Sequence, residues 1–150
     1  MARQIHTEIE IQATPEQVWD VLTDFPAYPE WNPFIQRIAG DVAVGAKLDA
    51  FLQPPGNRGM GFRPTVLAAT PARELRWLGH LGFSGIFDGE HIFRIEPLGT
   101  DRVRFVQEER FAGVLAPLLL RFIEGSTKEG FAAMNEALKA RVEQQSSAAG

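Results

Sequence analysis

The sequence contains no cysteine. Disulfides, zinc–thiolate sites, iron–sulfur clusters and a cysteine nucleophile are therefore excluded. Basic charge is also short: 15 Lys and Arg face 19 Asp and Glu, giving a formal net charge of −4. A phosphate-binding surface wants a basic face, so no nucleic-acid partner is expected. No apolar run reaches the ~18 residues of a membrane span. The opening Met-Ala-Arg-Gln-Ile-His lacks the apolar stretch of a signal peptide. A soluble cytoplasmic protein is the expectation. Catalytic signatures are missing too. There is no G-x-S-x-G elbow and no H-E-x-x-H helix, and Gly59 and Gly61 do not belong to a phosphate loop. The three histidines, His6, His80 and His91, are scattered, and the four serines have no evident base partner. Neither a metal site nor a cofactor is expected.

Phenylalanine, by contrast, is abundant: eleven in 150 residues. That length suits one domain, residues 1–150, able to bury ~70% of its unfolded surface. Arg3–Gln12 alternates, with Ile5, Thr7, Ile9 and Ile11 on one face, which predicts a half-buried strand. Thr14-Pro15-Glu16-Gln17 carries a capping box with proline at the first helical position. Pro26, Pro29 and Pro33 then limit the following segment to a short, broken helical corner. Strands are predicted over Ile35–Ala39, Lys47–Gln53, Phe62–Thr70, Glu74–Leu81, Ile86–Glu96 and Arg102–Phe111, with turn residues between them. Leu120, Ile123, Thr127, Phe131, Met134, Leu138 and Val142 step by three or four, predicting one amphipathic helix over about Leu115–Gln144. Gly125 and Gly130 weaken its middle and mark a bend or a close approach. Residues 143–150 read as a frayed polar tail.

A sheet with an apolar face needs a cover, and one long helix can lie across it. The expected fold is α+β: a helix-grip in which a seven-stranded curved antiparallel sheet wraps a long C-terminal helix, with two short helices after strand one.

A turn at Pro97–Asp101 would set Ile95 opposite Val103, Phe93 opposite Phe105, His91 opposite Gln107 and Gly89 opposite Glu109. Phe87, Phe93, Phe105 and Phe111 then share one face with His91, Gln107 and Glu109, while Asp88, Glu90, Arg94, Arg104, Glu108 and Arg110 share the other. Polar groups on an apolar face cost several kcal/mol unless paired. Three readings stand. The polar trio orients a ligand in a greasy pocket; its members satisfy one another or buried water; or His91 and Glu109 act as general acid and base.

Four stretches resemble a known superfamily, the START-like or SRPBCC proteins, which include polyketide cyclases, lipid-transfer domains and the birch-pollen-allergen type. They are Ala13–Trp19, the corner Leu22–Phe34, the paired segments Glu74–Trp77 and Gly89–Phe93, and Glu108–Gly113 before the last helix. The resemblance spans about residues 3–142. It implies a deep apolar cavity between sheet and long helix, and a hydrophobic small-molecule ligand: lipid, polyketide, aromatic or quinone-like. It also implies two alternatives, a cyclase/dehydratase-like enzyme and a protein-interaction module of the co-chaperone type. Besides the seven inner-face residues above, Trp31, Phe34, Phe51, Phe62, Trp77, Phe122, Phe131 and Met134 are the candidate wall. The entrance is expected at Pro54–Gly61, Gly82–Gly85 and Ala112–Pro117. Apolar Gly113–Leu120 would serve as a lid or a homodimer contact.

Overall fold

The computed structural model describes residues 3–80 and 83–149. Strand β1 (Arg3–Ile11) leads to α1 (Pro15–Thr23), whose capping box forms as the sequence predicts. The Thr14 hydroxyl accepts from Gln17 N (3.2 Å), and Gln17 Oε1 accepts from Thr14 N (2.8 Å). The proline-rich corner becomes a 3₁₀ turn (Phe25–Ala27) and a single helical turn, α2 (Tyr28–Trp31). Tyr28 is fully buried and donates to Leu22 O (2.5 Å). Burial, with Asp24 nearby, pushes its phenol above the ordinary range. Asn32 closes the corner: its Oδ1 accepts from both Phe34 N and Ile35 N at 2.9 Å, which launches β2 (Ile35–Ala39) and aims Phe34 inward.

The remaining strands are β3 (Asp49–Leu52), β4 (Met60–Phe62), β5 (Thr65–Thr70), β6 (Glu74–His80), β7 (Asp88–Gly99) and β8 (Arg102–Ala112). The expected seven strands in one sheet are, among the described residues, eight in two. All pairings are antiparallel, in a five-stranded sheet ordered β1-β8-β7-β6-β5 and a three-stranded sheet ordered β2-β3-β4. The extra strand arises because the predicted run Phe62–Thr70 is cut at Arg63-Pro64, where proline offers no N–H to the ladder. A Lys47–Thr65 bridge and the bond from Leu48 N to Pro64 O (2.8 Å) stitch the sheets together there. The predicted end of the sixth strand at Leu81 lies outside the described residues.

In the β7–β8 hairpin, Ile95 pairs with Phe105, Phe93 with Gln107, His91 with Glu109 and Gly89 with Phe111. The pairing differs from the expected one by two residues: a tight turn at Thr100-Asp101 shifts the ladder by three, and a bulge between Pro97 and Gly99 takes one of these back. A two-residue shift preserves parity, so the two predicted faces survive. On the outer face, Glu108 is only 3% exposed and is held by Arg94, Gln4 and His6. Burial pushes its carboxyl up, but the Arg94 guanidinium, helped by His6, more than offsets this and holds it below its ordinary 4.5. A depressed carboxylate contributes stability above its unfolded-state value, and that stability is lost as pH falls through the lower folded value. Glu108→Gln should therefore cost stability at about pH 7, with the gap to wild type closing towards about pH 3. Urea unfolding at both pH values checks this; a gap that widens on acidification would contradict it.

Helix α3 (Ala116–Ala149) lies across the inner face and continues through the segment expected to fray. Phe131, Met134, Leu138 and Val142 are buried along its stripe. Of its two internal glycines, Gly130 is the close approach: a methyl there would collide with the Phe34 ring, whereas one at Gly125 would meet nothing within 4 Å. Ala is worth about 1 kcal/mol over Gly inside a helix, while overpacking costs about 1–3 kcal/mol. Gly125→Ala should therefore raise the midpoint of thermal unfolding and Gly130→Ala lower it. Two stabilising substitutions would remove the packing argument.

Candidate functional site

Between α3 and the curved sheets lies a cavity of about 460 Å³ that opens to solvent. Proteins hold small molecules in pockets of roughly 300–1,000 Å³. Of the residues expected in its wall, Phe34, Phe62, Trp77, Phe87, Glu109, Phe111 and Phe122 line it. Phe87 and Phe111 stack at 5.5 Å with their planes 12° apart. Trp77 is buried and edge-on to Phe93 at 5.1 Å. Phe122 both faces the cavity and is 76% exposed, which places it at the mouth.

The other expected wall residues sit elsewhere. Phe93, Phe105, Phe131 and Met134 are fully buried behind the wall, as core. Phe51 points away: Ala50 and Leu52 share the inward face of β3, and Phe51 lies across Gly59 on the opposite side. Trp31 stacks edge-on to Tyr28 (5.0 Å) at the far end, beside a separate small depression with Asp24 and Arg141. The proline corner folds it there, away from the cavity.

Conversely, Leu52, Leu119, Ile123 and Thr127 line the cavity although none is among the candidate wall residues. Of the expected entrance, Pro54, Asn57, Arg58 and Met60 border it, and Asn57 Nδ2 donates to Ser126 Oγ (2.6 Å) across the opening. Gly82 lies outside the described residues, and neither Phe83–Gly85 nor Ala112–Pro117 lines the cavity; α3 lines it from Leu119 to Thr127. His80 reaches the rim, where it bonds Asp88 (2.8 Å) and, with Gly85 N, holds that carboxyl below its ordinary value.

The polar trio divides. His91 is 2% exposed and Gln107 fully buried; neither lines the cavity. His91 stacks on Phe93 (4.3 Å) and lies 4.9 Å from Phe131 and 5.3 Å from Trp77, centroid to centroid. Its Nε2 bonds Gln107 Oε1 (2.9 Å). Gln107 Nε2 donates to Asn135 Oδ1 (2.8 Å) and to Phe131 O (3.4 Å). Asn135 Nδ2 donates to Thr7 Oγ1 (2.9 Å), which donates to Gln107 O (3.2 Å). Glu109 alone reaches the cavity, with its side chain 18% exposed and Oε1 3.1 Å from His91 Nδ1. The wall is thus mainly apolar and aromatic, with Arg58 and His80 among its polar members and one carboxyl group backed by an imidazole and a chain of buried amides. Asn135 had a signal in the sequence, since it follows Phe131 by one helical turn. Among the described residues, no three His, Asp or Glu side chains converge as a metal would require, and no helix is long and apolar enough to cross a membrane.

This architecture matches solved structures over nearly its whole length. The aromatase/cyclase Zhui from Streptomyces sp. R1128 superposes with a TM-score of 0.77 at 20% identity, covering 100% of this chain and 99% of that one. Norcoclaurine synthase from Thalictrum flavum gives 0.74 at 17% identity, covering 97% of each. A START superfamily protein from Mycobacterium smegmatis gives 0.70 at 25% identity, covering 95% and 98%. No curated protein sequence matches significantly. The family model described as polyketide cyclase / dehydrase and lipid transport matches residues 2–143. The helix-grip, the corner motif and that match agree, and the chain belongs to this family within the START-like superfamily.

Proposed function

We propose that this protein binds a hydrophobic small molecule, ring-containing or acyl, in the cavity between sheet and α3. The observation that carries this reading is the open cavity of about 460 Å³, walled by Trp77, Phe87, Phe111 and other apolar side chains. Burying apolar ligand surface there yields about 25 cal/mol per Å², less the cost of ordering. An open interior supports binding over the protein-interaction alternative. N-phenyl-1-naphthylamine, an uncharged fluorescent probe, should bind saturably at one site. Leu52→Trp, which puts an indole into the space, should weaken it about tenfold or more while the protein stays folded. Absence of saturable binding, or equal binding by the folded variant, would overturn the reading.

Turnover of the bound molecule is a second reading, favoured by the Glu109–His91 contact at the wall. It predicts that His91→Ala abolishes turnover with ligand affinity retained. A carrier would show weakened binding alone.

A further inference from the structure

The hydrogen bonds behind Glu109 have a fixed direction. Thr7 Oγ1 donates its one hydrogen to the Gln107 carbonyl, so it can only accept from Asn135 Nδ2. Asn135 Oδ1 is then the acceptor for Gln107 Nε2, which also points at the Phe131 carbonyl. Backbone carbonyls cannot donate, so both amides are pinned from two ends. Gln107 Oε1 is left as an acceptor, and His91 Nε2, at 2.9 Å, must carry a hydrogen. The other ring nitrogen, Nδ1, is 3.1 Å from Glu109 Oε1. That contact holds Oε1 against the ring edge and leaves Oε2 as the other acceptor. Oε2 lies beside Gly89, where an added Cβ would stand 3.1 Å from it, and both residues line the cavity.

We propose that the Thr7–Asn135–Gln107 chain fixes His91 as a positioning residue, so that Glu109 offers the cavity a hydrogen-bond acceptor. The ligand site therefore selects apolar molecules bearing a hydroxyl or phenol and rejects those whose inner end is a carboxylate. This rests on the cavity-binding reading above and adds the ligand's polar chemistry to it.

Three probes of one shape test it: naphthalene, 2-naphthol and 2-naphthoate, titrated calorimetrically. Wild type should bind 2-naphthol about tenfold more tightly than naphthalene, about the worth of one hydrogen bond, and 2-naphthoate least. Glu109→Leu should bring the naphthol-to-naphthalene ratio close to one. Gly89→Ala, which crowds Oε2 without removing it, should lower the ratio as well, so a folding failure in one variant leaves the other. Nitrogen-15 NMR of the imidazoles should show His91 protonated at Nε2. An unchanged ratio in the folded variants, a preference for 2-naphthoate, or a His91 bare at Nε2 would each overturn the proposal. If naphthalene binds with no naphthol preference, this inference alone fails; if none of the three binds, the cavity reading fails with it.

Discussion

Phe131→Ala is expected to destabilise the protein by about 3–5 kcal/mol, the cost of truncating a fully buried aromatic side chain. The ring has no exposed surface. It meets Phe34 edge-on at 5.5 Å and lies 4.9 Å from the His91 ring, centroid to centroid. Neither neighbour can move freely into the space: Phe34 is already packed on Gly130, and His91 is tethered to Gln107. The hole would thus stay open, and a site that cannot collapse falls at the costly end of the range. Phe122 on the same helix is the control. It is mostly exposed at the cavity mouth, and Phe122→Ala should change stability by no more than about 0.5 kcal/mol. Urea unfolding with equal slopes would compare the two. A loss below about 1 kcal/mol for Phe131→Ala would mean that the helix–sheet contact is looser than its geometry implies.

That contrast also shows what the sequence could and could not tell. Helical spacing placed Phe131 and Met134 on the stripe facing the sheet, and the structure buries both. Spacing does not say whether a stripe residue touches a cavity or only core, and both proved to be core. The hairpin faces were legible because side-chain parity survives a shift of two residues, which the turn at Thr100-Asp101 and the Pro97–Gly99 bulge produce together. Phe51 was misplaced for the same reason inverted: in a four-residue strand beside a bulge, nothing local says whether Ala50 or Phe51 faces inward. The division into two sheets depends on Pro64 and on a single bridge formed with a distant loop. Trp31 depended on the path of a proline corner, which is set by Asn32 capping and Tyr28 burial rather than by periodicity. The buried amide chain needed three elements at once, β1, β8 and α3, and no single segment announces it.

Gln107→Leu is expected to cost about 3 kcal/mol or more, although the replacement is apolar, close in size and fully buried. The reason is what it leaves behind. His91 Nε2–H and Asn135 Oδ1 both lose their partner in a space closed to water, while the Phe131 carbonyl keeps its helical one. An orphaned buried polar group costs about 1–3 kcal/mol, whereas removing both partners together can be nearly neutral. A double-mutant cycle separates these effects. His91→Phe places an apolar ring among Phe93, Phe131 and Trp77, where the imidazole already stacks. In Gln107→Leu/His91→Phe the lost Gln107–His91 bond leaves no orphan at either end, although Asn135 remains short of its donor. The double variant should therefore be more stable than the sum of the single losses predicts, by about 1–2 kcal/mol. Additivity within about 0.5 kcal/mol would show that the two side chains are energetically independent. In that case the chain behind Glu109 could not be what holds the imidazole in place.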